Sequence, residues 1–394
     1  MKGSDRIMAK QKVAKTNVTP GRVYRRLVAL VLHTGNLFGI LPTSKQLTMT
    51  GIAICIAGGQ RPFSEDKERR QLMVTQQPPG ITDIAIRLLE ESDLPAADRI
   101  FRLAFGTFLG LPDPMTFFGD ADYIRTRWLA DPTAAFGAEI GGELVGSNFA
   151  TNWGSVGFFG PLTIRPDLWD RGIAKRLMEP IMGLFSKWGT KHMGLFTFAH
   201  SPKHIHLYYR FGFWPRFLTK VMSKPIEQKA GVPQWSRYSE VPKSEREGCL
   251  MACHKLTDAI YKGLNAEREI RAVDIQGLGD TVLLWDNSKL AGLAICHCGA
   301  GTEAGSGACY IKFGAVRPGS NAGRVFDRLL DACETLASLS GMSRLVAGVN
   351  TGRYRAYHRM IVRGFRTDMQ GVAMQRPNES GYNRPNVYII DDWR

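Results

Sequence analysis

Two stretches of the chain carry residue types whose spacing could do chemistry. In the first, Leu162, Thr163 and Ile164 end an apolar run, Arg165 and Pro166 turn it, and Gly172 and Ala174 open a helical pattern that continues through Leu177. A glycine at that point lets a ligand approach the backbone, and the first amides of a helix have no partners within it. The helix dipole favours an anion there, phosphate above all, and Arg171, Lys175 and Arg176 add positive potential. A strand-to-helix turn whose glycine serves only packing fits the same residues. The second stretch, His200 to Phe213, reads as a short helix carrying Tyr208, stopped by Gly212 and followed by an aromatic strand.

The elements that must position these stretches follow a regular order. Thr82 to Glu90 alternates as a strand, and Ser92 or Asp93 caps a helix that runs through Phe105 with Pro95 in its first turn. Ala134 to Ile140 and Leu144 to Asn152 are apolar runs joined by Gly141, Gly142 and Glu143, a hairpin signal. Val156 to Ile164 reads as one strand, Gly172 to Trp188 as a helix, His192 to Ala199 as a strand, His204 to Phe211 as a short helix and Phe213 to Met222 as a strand. This is an α/β layer fold with a mixed sheet. The pattern then repeats. Arg317–Pro318 matches Arg165–Pro166, and Gly364–Phe365 matches Gly212–Phe213, both at an offset of 152 residues. Two copies of one unit are expected in tandem, joined by a polar linker.

Together the two stretches resemble motifs A and B of the GNAT N-acetyltransferase superfamily. Ile164, Pro166, Gly172, Ala174 and Leu177 match the first motif, and Leu207, Tyr208, Arg210, Gly212 and Phe213 the second; Trp169 stands where Gln or Arg is usual. The resemblance covers about residues 81 to 225. It implies that acetyl-CoA is the co-substrate, with its pantetheine arm along the backbone of Leu162 and Ile164 and its pyrophosphate on the amides of Arg171, Gly172, Ile173, Ala174 and Lys175. Tyr208 matches the family's usual general acid, with Tyr209 as the neighbouring alternative. A phenol of pKa ~10 can protonate a departing thiolate of pKa ~8.5. The general base is less evident, because Val145 to Ile164 contains no Asp or Glu. His200 could accept the proton directly, Asn148 and Asn152 could hold a relaying water, and His204 and His206 read as surface residues. The aromatic stretch Gly106 to Tyr123, with Phe108, Phe117 and Phe118, falls where the family shapes its acceptor pocket and hints at an apolar or aromatic amine.

In the second copy, Arg324 and Phe326 stand in register with Gly172 and Ala174, and Met360 with Tyr208. Large side chains are thus expected in the phosphate position and the proton donor is gone. The expected organisation is a basic, disordered extension over 1–80, an acetyltransferase domain over 81–226, a linker over 227–247 and a degenerate copy over 248–394. The expected function is acetyl transfer to an amine by direct attack on the thioester. A catalytically inactive CoA-binding regulatory protein is the alternative.

Composition agrees with a folded two-domain chain: of 394 residues, 44% are hydrophobic and 22% charged. The formal charge of +15 is uneven, since residues 1–72 hold thirteen Lys/Arg and four Asp/Glu, leaving +6 for the rest. A mildly basic body does not require nucleic acid. Seven cysteines without a framework spacing suggest reduced thiols in a cytoplasmic protein, and no metal is expected. The apolar stretch Leu27 to Leu41 is too short and too interrupted for a membrane span.

Overall fold

Gly141 and Gly142 show how the sheet begins. Both lie in the left-handed region, at φ 58° and 84°, which a two-residue hairpin turn requires and which only glycine adopts without strain. They join β2 (Ala135–Ile140) to β3 (Glu143–Trp153). The computed structural model describes residues 83–227 and 235–394. The basic extension, Cys55 and Thr82, the first residue of the expected first strand, lie outside the described residues.

The described chain runs β1 (Ile84–Leu88), α1 (Leu94–Leu109), α2 (Ile124–Ala130), β2, β3, β4 (Val156–Phe159), β5 (Thr163–Ile164), α3 (Ile173–Lys187), β6 (His192–Thr197), α4 (Pro202–Tyr209) and β7 (Trp214–Pro225). The same order follows in β8 (Trp235–Arg237), α5 (Arg246–Asp258), α6 (Glu267–Gln276), β9 (Gly279–Asp286), β10 (Lys289–Gly299), β11 (Gly305–Val316), α7 (Ala322–Leu339), β12 (Arg344–Asn350), α8 (Tyr354–Val362) and β13 (Arg366–Arg376), with a short β14 (Ile389–Ile390) after it. β6, α4 and β7 begin 152 residues before β12, α8 and β13, the offset that the paired motifs show.

Two expectations are corrected here. Val156 to Ile164 is not one strand. It breaks at Gly160–Pro161, where proline has no N–H to donate to a ladder. The stretch 227–247 is not all linker either: Trp235–Arg237 pairs antiparallel with β9 at Leu284–Val282, as β1 pairs with β2.

All main strands join one mixed sheet in the order β1-β2-β3-β4-β6-β13-β7-β12-β11-β10-β9-β8. The last strand of each half is exchanged: β13 lies between β6 and β7, and β7 lies between β13 and β12. The described residues 83–227 and 235–394 accordingly form one compact unit. Helices cover the sheet with apolar stripes. In α3, Ile173, Leu177, Met178, Ile181 and Phe185 are buried at helical spacing.

A buried charge network ties the halves. Arg127 of α2 makes a bidentate pair with Glu303 (2.9 and 3.1 Å). Lys312 bridges Glu303 at 2.8 Å and Glu269 at 2.7 Å. Arg127 also donates to the carbonyl of Gly160 at 2.6 Å, holding the point where β4 ends. Burial opposes ionisation of Glu303, but the Arg127 and Lys312 charges outweigh it and hold the carboxyl well below the usual range.

Candidate active site

The site begins where two parallel strands part. β4 pairs with β6 only over Val156–Phe158 and His192–Gly194. Beyond Phe159 the chain departs, and β5 pairs on its other side with Gly146 and Ser147 of β3. A cleft of about 620 Å³ opens between the diverging strands. It is lined by Gly160 to Ile164, Leu195 to Phe198, α4, the start of α3 and the aromatic side chains of α1 and the loop after it, and Phe108 of α1 packs on His204 of α4 at 5.0 Å.

Gly172 is the N-cap of α3 with φ +80°, and no side chain caps the helix. A Cβ placed on Gly172 would meet nothing within 4 Å, so the backbone there faces open space. Asp170 precedes it, also in the left-handed region (φ 66°), and pairs with Lys203 of α4 at 2.6 Å. Trp169 donates its indole N–H to the carbonyl of Ile164 at 2.8 Å, which fastens the loop to the strand end. Arg171, Gly172, Ile173, Ala174 and Lys175 all line the cleft, as do Leu162 and Ile164. This is the shape of an anion cradle: uncapped amides, an open glycine and exposed cations on one rim.

Tyr208 lies on α4 with 8% exposure. It lines the cleft, and its hydroxyl has no protein hydrogen-bond partner among the described residues. Burial pushes its pKa well above the ordinary phenol value, so it is protonated at neutral pH. The neighbouring Tyr209 is half exposed and packs on Trp214, away from the lining.

The other sequence candidates divide. His200 is exposed and outside the lining, stacked on Phe108 at 5.7 Å. Asn148 is fully buried and bonds to Leu177 and Met178 of α3, and Asn152 accepts the amide of Gly154 in a turn. None of these three reaches the cleft. His204 and His206, expected at the surface, both line it. His204 is half-buried, one helical turn before Tyr208 on the same face. Burial, and then Lys203, lower its pKa, so it stands as the neutral imidazole. Sequence reasoning missed it because a polar residue on a short helix gives no sign of which face meets a cavity.

The corresponding place in the second half is filled. β14 pairs with β11 at Gly314 and Ala315, the positions 152 residues after Leu162 and Thr163. A Cβ on Gly323, at the start of α7, would lie 2.5 Å from the guanidinium of Arg359. Arg359 itself pairs with Asp327. Phe326, expected to block the phosphate position, is instead buried in the core against Tyr388. Arg359 and the 388–390 segment are the obstruction. Met360 is fully buried.

An open α/β sheet with a cleft between parting parallel strands, an uncapped helix start on one rim and a tyrosine on the next helix make up the candidate site. Residues 99–213 match the model of the Acetyltransferase (GNAT) family, so the chain carries a domain of that family there. Among solved structures, a putative acetyltransferase from Pyrococcus horikoshii aligns over 79% of this chain and 95% of its own at a TM-score of 0.57 and 13% identity. A glucosamine N-acetyltransferase region of a fungal multi-domain beta-N-acetylglucosaminidase aligns over 74% of this chain and 38% of its own, at a TM-score of 0.52 and 13% identity. At such identities the likeness establishes the fold. No curated protein matches the chain. Among the described residues no helix is long and apolar enough to cross a membrane.

Proposed function

We propose that the chain transfers an acetyl group from acetyl-CoA to an amine, with the chemistry confined to the first half. One observation carries the reading: the uncapped, open start of α3 and the unpartnered hydroxyl of Tyr208 converge on a single cleft. The amides of Arg171 to Lys175 hold the pyrophosphate, and the backbone of Leu162 and Ile164 on the cleft side receives the pantetheine arm. The thioester supplies the activated acyl carbon. Tyr208 gives its proton to the sulfur as the C–S bond breaks. His204, in place of the exposed His200, takes the proton released from nitrogen as the N–C bond forms, directly or through one water. The products are an amide and the free thiol.

The alternative, a CoA-binding protein without turnover, is favoured by one feature. Among the described residues the only side-chain carboxylate in the lining is that of Asp170, which Lys203 already holds. Thermal shift with acetyl-CoA followed by thiol release with a panel of amines separates the two. Stabilisation with turnover supports transfer, stabilisation without turnover on any amine supports the regulatory reading, and no stabilisation refutes both.

A further inference from the structure

Arg127 of α2 is buried and does not itself line the cleft, yet its contacts reach three residues that do. Its Nη1 donates to the Gly160 carbonyl at 2.6 Å, its Nη2 donates to the backbone oxygen of Arg394, and its guanidinium lies 5.1 Å from the centre of the Tyr123 ring. Gly160, Tyr123 and Arg394 all belong to the lining. Nε and the same Nη2 hold the two carboxylate oxygens of Glu303, which the second half supplies from the turn between β10 and β11. One buried side chain thus joins the second half to three separate parts of the first half's cleft.

Charge balance alone does not call for an arginine here. Arg127 and Lys312 offset Glu303 and Glu269, and a lysine at 127 would offset them equally well. What lysine lacks is the planar fork, which sets several N–H donors in one rigid arrangement. Charge-assisted bonds from such a fork are short and directional. At Gly160 the backbone amide also donates to the Phe149 carbonyl of β3, at 2.8 Å. The residue is therefore pinned through both its N–H and its C=O, at the point where the chain leaves β6 and goes on to β5. Gly160 to Ile164, the lining that follows, starts from that fixed peptide. A misplacement of about 1 Å at a reacting centre can cost ~100-fold in rate, because the groups no longer meet in a near-attack geometry. Resting on the acetyl-transfer reading, we infer that Arg127 is a positioning residue for that chemistry: anchored by the second half's Glu303, its fork sets the Gly160 peptide, the Tyr123 ring and the Arg394 backbone that line the cleft.

The test is Arg127→Lys in the full chain, which keeps the charge facing Glu303 and loses the fork. Thiol release is followed with the amine of the panel that the parent turns over fastest, and acetyl-CoA binding is measured by calorimetry on the same preparation. The dissociation constant should stay within about threefold, since Arg127 makes no contact with the α3 cradle, while kcat should fall by about 10- to 100-fold. The kcat deficit should persist at low temperature, where the variant is fully folded by thermal unfolding. Glu269→Gln serves as the control: Glu269 belongs to the same charge network, through Lys312 and Trp153, but neither it nor those partners line the cleft. It should lower the melting temperature and leave kcat at low temperature unchanged. Should Arg127→Lys not fold, Glu303→Asp decides, because it keeps both charges, shortens the anchor and should lower kcat in the same direction. Parental kcat in the folded variant, a rise in the dissociation constant with kcat intact, or an equal kcat loss in Glu269→Gln overturns the positioning role and leaves acetyl transfer standing. Acetyl-CoA binding without thiol release from any amine overturns both.

Discussion

Replacing Tyr208 by Phe removes one oxygen atom from the cleft and little else. The ring keeps its edge-to-face contact with Phe159 at 5.6 Å, and no protein hydrogen bond is lost because the hydroxyl makes none. Stability should therefore change by no more than about 0.5 kcal/mol. Acetyl-CoA affinity should hold as well, since the α3 cradle is untouched. Losing a general acid costs ~10²-fold or more, so turnover should fall by about that factor, equivalent to about 2.7 kcal/mol in the barrier. Because burial raises the phenol's pKa, wild-type turnover should show no loss from tyrosine ionisation up to about pH 9. The assay is single-turnover thiol release, with thermal unfolding and acetyl-CoA binding measured on the same preparations. Unchanged single-turnover rates in Tyr208→Phe would refute the proton-donor role and leave a bound water as the donor.

Gly172→Trp should weaken acetyl-CoA binding by at least about 100-fold in calorimetry, through both the positive φ and the filled cradle, whereas Arg324→Trp at the exposed start of α7 should leave it unaltered. Glu303→Gln strips the countercharge from buried Arg127 and Lys312 and should cost about 3 kcal/mol in urea unfolding. His192 and His297 are buried, and burial lowers the pKa of each to about 4. Below the unfolded value of about 6.5 the unfolded chain takes up protons that the folded chain refuses. Stability is therefore complete above about pH 6.5 and declines as pH falls toward 4, by about 2 kcal/mol per histidine at pH 5; urea midpoints at pH 7 and pH 5 should show the decline, and the His192→Gln, His297→Gln double variant should lessen it.

What the sequence made legible was local. Gly172 announces the start of α3, Gly212 the end of α4, and the offset between Pro166 and Pro318 carries over to the strand and helix boundaries of β12, α8 and β13. Each of these rests on a turn, a cap or a period that neighbouring residues decide. What stayed hidden depends on partners distant in the chain. The departure of the strand after Phe159 is fixed by Arg127 gripping the Gly160 carbonyl. The strand at Trp235–Arg237 exists because β9 offers it an edge. His204 counts as a cleft residue only because of the face that α4 turns inward. The occupant of the second half's groove was likewise misread: Arg359 follows from helix packing, and Ile389 and Ile390 from pairing with β11.

The exchange of β7 and β13 bears on how this protein is made. A chain leaving the ribosome completes β6 long before β13 is synthesised, and β13 begins at residue 366. Until then the edge of β6 on the side away from β4 is bare, a template for pairing with the wrong chain. Nascent chains are therefore exposed to aggregation while the residues between Thr197 and Arg366 are synthesised, and pairings of such high sequence separation make closure slow. Cutting the gene between the halves would yield two fragments that each lack a neighbour strand, and mixing them should restore what neither has alone. A half whose corresponding groove is filled by Arg359 and the 388–390 segment thus stays indispensable, because it owns one strand of its partner's sheet.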